Sequence, residues 1–507
     1  MKISKESKYE IITRKGVYFM DAMKKQSVEN ANIERASLAK TLGRGDVWAL
    51  AFGSIVGWGW VMLAGSWVTL AGTVGAIIAF IVAIVFCSII GMAYAELTPA
   101  IPLAGGSLVF AYRAGGYTFG WISAWAMCFA YVAVASWEGP AFGSAIDYLV
   151  GLPQIGHLWT IEGYDVYAPW LLVSIAGTIF TIACHWFGMN IVAKFNTIAA
   201  IALVIGGIVF FVGGVTLGDM ANAAPAFHGG SEGLIAVLLM APAMFVGFDV
   251  IPQSVEEMNL PLKQIGKLVI FAICLGGLWY ILMILGVAFG APAEVTAAAS
   301  IPVADVATYV FNSKIFGSLI IVAGIGGILT SWNAMYLGAT RILFAMSRAK
   351  MLPAAFGKLH PKHNSPTNAL LLTGGVGILG ALLGKNALSW FVDASSFGVV
   401  VGYLCVSIAF YVLKFKEPNL ERPFRSPGGK FMGILAIIAS CAFIVLYLPF
   451  GPGAGLGMHE WMMVALWTVI GIILYIITKG KFKNVPEGER EMLIFGEDYA
   501  REEYLDR

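Results

Sequence analysis

From Val47 to Ala95 the chain carries no charged residue. A bilayer crossing needs about 20 mostly apolar residues, so this one stretch is long enough to cross twice. Comparable stretches recur along the chain. Twelve apolar blocks lie at roughly 47–71, 74–98, 117–150, 168–187, 190–214, 231–252, 267–290, 314–345, 366–384, 389–413, 430–450 and 460–478, each near the length that a span requires. Mean hydropathy is +0.80. Hydrophobic residues make up 59% and charged residues 12% of the 507, a balance that a soluble domain of this size does not need. In hydrocarbon every backbone amide and carbonyl must be satisfied within the protein, which restricts spanning structures to helices and closed barrels. The expected fold is all-α and integral to the membrane, with twelve transmembrane helices.

Loop charge orients these spans. Residues 1–45 hold ten Lys or Arg, and the positive-inside rule places such a segment in the cytoplasm. Alternate loops are then cytoplasmic too, and they carry Lys263, Arg348, Lys358, Lys414, Arg422 and their neighbours. The intervening loops at 151–166, 215–230, 291–313 and 451–459 contain no Lys or Arg; Lys385 is the one basic residue inside an outside loop, and Lys314 sits at the edge of another. Both termini are therefore expected in the cytoplasm and the protein in the cell membrane. The mixed segment 17–40 reads either as an interfacial amphipathic helix or as an unstructured tail.

Two blocks are interrupted near their middles. The first contains Gly53-Ser54-Ile55-Val56-Gly57-Trp58-Gly59, and each glycine weakens a helix by about 1 kcal/mol relative to alanine. The sixth reads Met240-Ala241-Pro242-Ala243-Met244-Phe245-Val246-Gly247-Phe248-Asp249, where Pro242 removes an amide donor and Gly247 loosens the chain again. Matched interruptions in two halves are the best sequence pointer to a transporter site. Spans one and six are five apart. An odd number of spans per unit reverses the second unit, which makes the repeat a five-plus-five inverted one. The expected organisation is an N-terminal tail (1–45), a first repeat (46–214), a second repeat (231–413), accessory helices eleven and twelve (430–478) and a C-terminal tail (479–507).

Taken in order, several motifs resemble those of the amino acid–polyamine–organocation (APC) superfamily of permeases. They are the glycine run; Pro102-Leu103-Ala104-Gly105-Gly106-Ser107 with Tyr112-Arg113-Ala114; Phe245-Val246-Gly247-Phe248-Asp249 with Glu256-Glu257; Arg341 to Pro353; His360-Pro361-Lys362; and Val392 to Gly398. The resemblance runs from Asp46 to about Thr478. It implies a LeuT-type fold and the uptake or exchange of amino acids or amines by a secondary active transporter working by alternating access. One position departs from the pattern: between Gly57 and Gly59, where the family has a small or hydroxylated residue, this chain has Trp58.

An amino acid carries two charges that cost several kcal/mol each if left unpaired away from water. Free amides at the start of the second half of span one suit its carboxylate. Freed carbonyls in both breaks suit its ammonium. Ile55, Gly57, Trp58, Gly59, Ala243 and Phe245 are the expected substrate contacts, with the Trp58 ring capping the substrate or holding a cation. Glu138 and Asp249 fall within helical blocks, where carboxylates are costly and usually functional. They are expected to couple or gate transport, either one being able to carry a proton. For Glu138 the alternative is a hydrogen-bonded group near the outer interface.

The resemblance also implies a coupling ion. In sodium-coupled transporters of this fold a Thr/Ser pair in span eight meets first-span carbonyls. Here the pair is Thr330 and Ser331, and the carbonyls are those of Gly53 and Val56. Na⁺ is expected, with H⁺ coupling or simple exchange as alternatives. The competing view is that both hydroxyls bond back to their own helix.

Other functions find less support. No nucleotide motif serves a pump, and no polar lining serves a channel. The six histidines and six cysteines show no metal or nucleophile pattern, so an enzyme is not expected, nor a cofactor, nucleic acid or obligate protein partner. The expected partners are the lipid bilayer and a small substrate. An amine or polyamine permease, or a nutrient sensor on a transporter fold, are the alternatives.

Overall fold

The computed structural model describes residue 38 and residues 40–501, apart from 162, 386, 453 and 454. The basic N-terminus, with nearly all of segment 17–40, and residues 502–507 lie outside the described residues. Ten helices among those described are long and apolar enough to cross a membrane, so the chain is a multi-pass helical membrane protein.

The first block divides where its glycines cluster. Helix α1 (Arg44–Ile55) ends, and α2 (Gly59–Ala100) begins after a three-residue break. Gly72 interrupts α2 at φ 74°, ψ 168°, a left-handed φ that glycine adopts without a Cβ penalty. The carbonyls of Pro225 and Ala226 approach so closely that a Cβ on Gly72 would lie 2.7 Å from each. The amides of Val74 and Gly75 donate to Ala226 O at 2.9 and 3.2 Å, so the interrupted backbone stays satisfied. Helix α3 (Ser107–Val150) bends at Gly116 and is followed by the antiparallel hairpin β1 (His157–Ile161) and β2 (Tyr164–Tyr167). Helices α4 (Ala168–Trp186) and α5 (Met189–Leu217) complete the first half.

In the second half, α6 (Gly230–Phe245) and the single turn α7 (Val250–Gln253) flank another break. Then come α8 (Leu262–Gly290), short α9 (Ala293–Ala298) and α10 (Pro302–Val310), α11 (Lys314–Arg348), α12 (Thr367–Ala381) and α13 (Leu388–Lys416). Helices α14 (Lys430–Tyr447), α15 (Met458–Lys481) and α16 (Glu487–Tyr499) close the chain. The sixth block departs from expectation in one respect: Pro242 stays inside α6, and the chain breaks at Gly247 instead. Loss of one amide does not end a membrane helix whose neighbours cover the freed carbonyl, whereas φ 141° at Gly247 is incompatible with any helix.

Helix α3 is buried along most of its length and packs chiefly on α13 and α11, while α2 packs on α8. Exposed apolar side chains line one face of α5, at Ile198, Ile201, Ile205 and Ile208, and recur at Leu466, Val469, Ile473 and Ile476 on α15, which is exposed over most of its surface. Their spacing of three and four puts them on one helical stripe, as a face turned to hydrocarbon requires.

Candidate functional site

The two breaks touch. At the first, Val56 N–H still reaches Phe52 O at 3.0 Å, but Gly57 N–H folds back onto Ile55 O at 3.2 Å. At the second, Val250 N–H donates to Gly247 O at 2.9 Å and starts α7. A Cβ on Gly247 would stand 2.5 Å from the Ser54 carbonyl carbon and 2.7 Å from Ile55 N. Only glycine tolerates both that φ and that approach. Glycines on the other side of the first break seat it on α11. A Cβ on Gly53 would lie 2.7 Å from Thr330 Cβ, and one on Gly57 would lie 2.7 Å from Ser331 Oγ.

Tyr280 on α8, a residue that sequence reasoning missed, ties the breaks together. Its hydroxyl faces Ile55 O at 2.7 Å and Met244 O at 3.2 Å. One hydroxyl carries one proton, so these two carbonyls keep spare accepting capacity. The available signal was a phenol in an otherwise apolar block, since a buried tyrosine hydroxyl usually has a partner.

The two intramembrane carboxylates are both fully buried and differently fastened. Asp249 Oδ1 accepts from Gly247 N–H and from the Tyr403 hydroxyl, each at 3.0 Å, and Oδ2 accepts from the Tyr131 hydroxyl. The second break is thereby tied to α13 and α3. Glu138 Oε1 accepts from the Ser331 hydroxyl, while Oε2 has no hydrogen-bond partner. Oε1 also lies 3.6 Å from where a Gly57 Cβ would be. Glu138 therefore sits against the first break, not near the outer interface.

Between the breaks lies a cavity of about 20 Å³, room for about one water. Ile55, Gly57, Gly59 and Ala243 line it, together with Glu138, Ser331, Trp137 and Tyr280. Trp58 and Phe245 do not line it. The Trp58 ring lies so close over α11 that a Cβ on Gly324 would be 2.5 Å from it, and the Phe245 ring lies beside Gly277 and Tyr280. The glycines of α11 and α8 make room for these rings and draw them out of the cavity wall. Of the expected ion ligands, Thr330 Oγ1 donates to Gly327 O at 3.0 Å, the back-bond weighed earlier, whereas Ser331 Oγ lies 3.2 Å from Ile328 O but gives its one proton to Glu138. Both oxygens nevertheless keep lone pairs, and a Gly53 Cβ would lie 3.1 Å from Thr330 Oγ1. Val56 is fully buried as the last capping residue of α1.

Ion pairs close the end of the molecule that carries the basic loops. Arg341 forks onto Glu257 at 2.7 and 2.9 Å, and Arg348 reaches Glu256 at 3.0 Å. The segment before α1 joins this seal: Thr41 and Leu42 N–H donate to Glu257 O at 3.0 and 2.9 Å. At the other end α10 lies across α2, where a Cβ on Gly65 would be 2.4 Å from Pro302.

Two broken membrane helices meeting at a buried cavity sealed at both ends have the anatomy of a transporter. The amino acid permease family matches residues 42–475, and the chain belongs to that family, within the APC superfamily. It is 26% identical to the branched-chain amino acid permease BcaP of Bacillus subtilis, over 92% of this chain and 99% of the relative. It is 25% identical to the methylthioribose transporter of the same organism, over 89% and 96%. It is 24% identical to the vacuolar cationic amino acid transporter 8 of Arabidopsis thaliana, over 91% and 75%. Its relatives move solutes, so the chain is a transport protein and not an enzyme.

Proposed function

We propose that this permease carries an amino acid across the cell membrane by alternating access, with Na⁺ as coupling ion. The observation that carries this reading is the contact between the breaks, Gly247 against Ser54 and Ile55, beside a cavity with unspent acceptors. Twelve spans follow if Gly72 divides α2 into two spans and α12 counts as one. Spans 1–5 and 6–10 then form the inverted repeats, with α14 and α15 accessory and both termini cytoplasmic. Under that orientation the Arg341–Glu257 and Arg348–Glu256 pairs are the inner seal. Inward release requires them to part, and Asp249, tied to α3 and α13, holds the second break until they do. Removing one partner of such a buried pair typically costs about 3–5 kcal/mol, because the other charge is left uncompensated.

Support for Na⁺ is the oxygen-only character of Gly53, Val56, Thr330 and Ser331, the donor class that a hard cation takes. The relatives' differing cargoes leave the substrate to the pocket, and an amino acid is the reading most of their names favour. Uptake of labelled amino acids into proteoliposomes should need an inward Na⁺ gradient and fall at least tenfold in Thr330→Ala. Equal uptake in choline and sodium buffers would sink the coupling, and uptake of no amino acid under any gradient would sink the transport reading itself.

A further inference from the structure

Helix α15 is the least covered of the ten long helices, with 11% of its most apolar stretch buried. A pair of rings fastens it to α3. Trp125 and Trp467 stack at 4.5 Å, and each indole N–H donates to the other residue's carbonyl, at 2.9 and 3.0 Å. Gly471 leaves room for this pair, since a Cβ there would lie 2.2 Å from the Trp125 indole nitrogen. Beside the rings α15 stands off from α3 and α13. The gap is an apolar groove of about 340 Å³, walled by Trp121, Ile122, Phe129, Val401, Thr468 and Tyr475 among others. Protein interiors leave few voids of this kind, and at this depth the surrounding medium is hydrocarbon.

The groove's length and its one polar end indicate what fills it. Its α15 wall runs from Val464 to Tyr475, a rise of about 17 Å at 1.5 Å per residue. That is close to half of a hydrocarbon core of about 30 Å, the depth of one lipid leaflet. At Tyr475 the apolar wall gives way to hydroxyls, with the Thr118 and Tyr475 oxygens 2.8 Å apart. Lys479, exposed and one turn further along, donates to the Tyr475 hydroxyl at 2.7 Å. Arg490 of α16 lies 4.9 Å over the Tyr117 ring, which stacks on Trp121. Among the described residues neither cation pairs with a carboxylate. Arg490 donates to the Ala349 and Phe482 carbonyls at 3.2 and 3.4 Å, and an ammonium has three donors of which Tyr475 takes one. Basic groups at the end of an apolar cleft between membrane helices suit an anionic headgroup.

A second copy of this chain fits the groove less well. A symmetric pair brings the same surface of each copy together, so Lys479 and Arg490 would face their own duplicates. A seam between helices would also follow the whole length of α15 and not the depth of one leaflet. We infer that the groove binds one anionic phospholipid from the leaflet on the side of the basic loops. One acyl chain lies along the groove, and the phosphate sits on Lys479 and Arg490. The site is separate from the cavity between the breaks and holds whatever solute is carried.

The full chain reconstituted in vesicles of equal phosphatidylglycerol and phosphatidylcholine, then extracted in mild detergent, tests this by native mass spectrometry. Wild type should retain one phosphatidylglycerol at least fivefold more often than one phosphatidylcholine. Lys479→Gln should bring that ratio to within about twofold. Thr468→Trp, whose ring would occupy the groove, should lower retention of both lipids at least fivefold. Equal retention of the two lipids by wild type overturns the inference, as does a ratio unchanged in Lys479→Gln or retention unchanged in Thr468→Trp. A lipid-free dimer of wild type gives the groove to a second copy and overturns it too. If Thr468→Trp does not fold, wild type and Lys479→Gln decide the matter between them, since Lys479 is exposed. The permease reading is tested by uptake and survives any of these results.

Discussion

Single atoms separate the duties of residues that look alike in the sequence. Asp249 and Glu138 are both acids in apolar helices, and only their donors distinguish a fastened group from an available one. In Asp249→Asn one acceptor oxygen is replaced by a donor, so one of the Tyr131 and Tyr403 hydroxyls loses its partner. A hydrogen bond to a charged group contributes about 1.5–3 kcal/mol, and the variant should lose about that much stability in detergent unfolding; an unchanged melting temperature would contradict the latch. Gly247→Ala should abolish uptake, because its Cβ would meet the Ser54–Ile55 peptide at 2.5 Å and force the breaks apart. Normal transport by that variant would mean the breaks need not touch. These contacts lie some 190 residues apart along the chain, as do Ser331 and Glu138 at 193, so residue order alone could not pair them. The Trp58 ring shows the same limit: its position was legible, but the helix rotation that turns it onto Gly324 was not.

At the level of elements, the glycine run marked a real break and the Pro242 region marked another a few residues early. Glycine reports where a backbone leaves helical space, while proline reports only a missing amide. The loop 291–313 yielded two helices, α9 and α10, too short and too mixed in composition to announce themselves. The tail from 479 hid a whole element. Helix α16 docks by burying Leu493 and Phe495, with Glu491 on Arg113 and Arg501 and Glu489 on Lys350. Arg113 also forks onto Glu417 at 2.7 and 2.8 Å and donates to Tyr499 O at 2.6 Å. Helix α16 therefore clamps the start of α3 to the ends of α11 and α13. Deleting residues 487–507 should lower the thermal stability of the purified protein and speed amide exchange around Arg113. Exchange at wild-type rates would show that the clamp is slack.

For the whole molecule, the ten described helices long and apolar enough to cross a membrane all fall on apolar blocks of the sequence, because hydrocarbon imposes length and composition at once. The closed state of the cavity had no sequence signal, since it depends on how far two halves lean together. It has a test. In a chain whose cysteines are replaced by alanine, a cysteine at Ala243 should resist a water-soluble thiol reagent at rest and react during turnover. Labelling at the rate of an exposed loop cysteine in resting protein would mean the chamber stands open.

A chamber with space for one water also limits what the protein does when nothing is aboard. In this closed state the walls offer no continuous path from one side to the other, so cargo, water and small ions alike reach the chamber only when the breaks part from one wall.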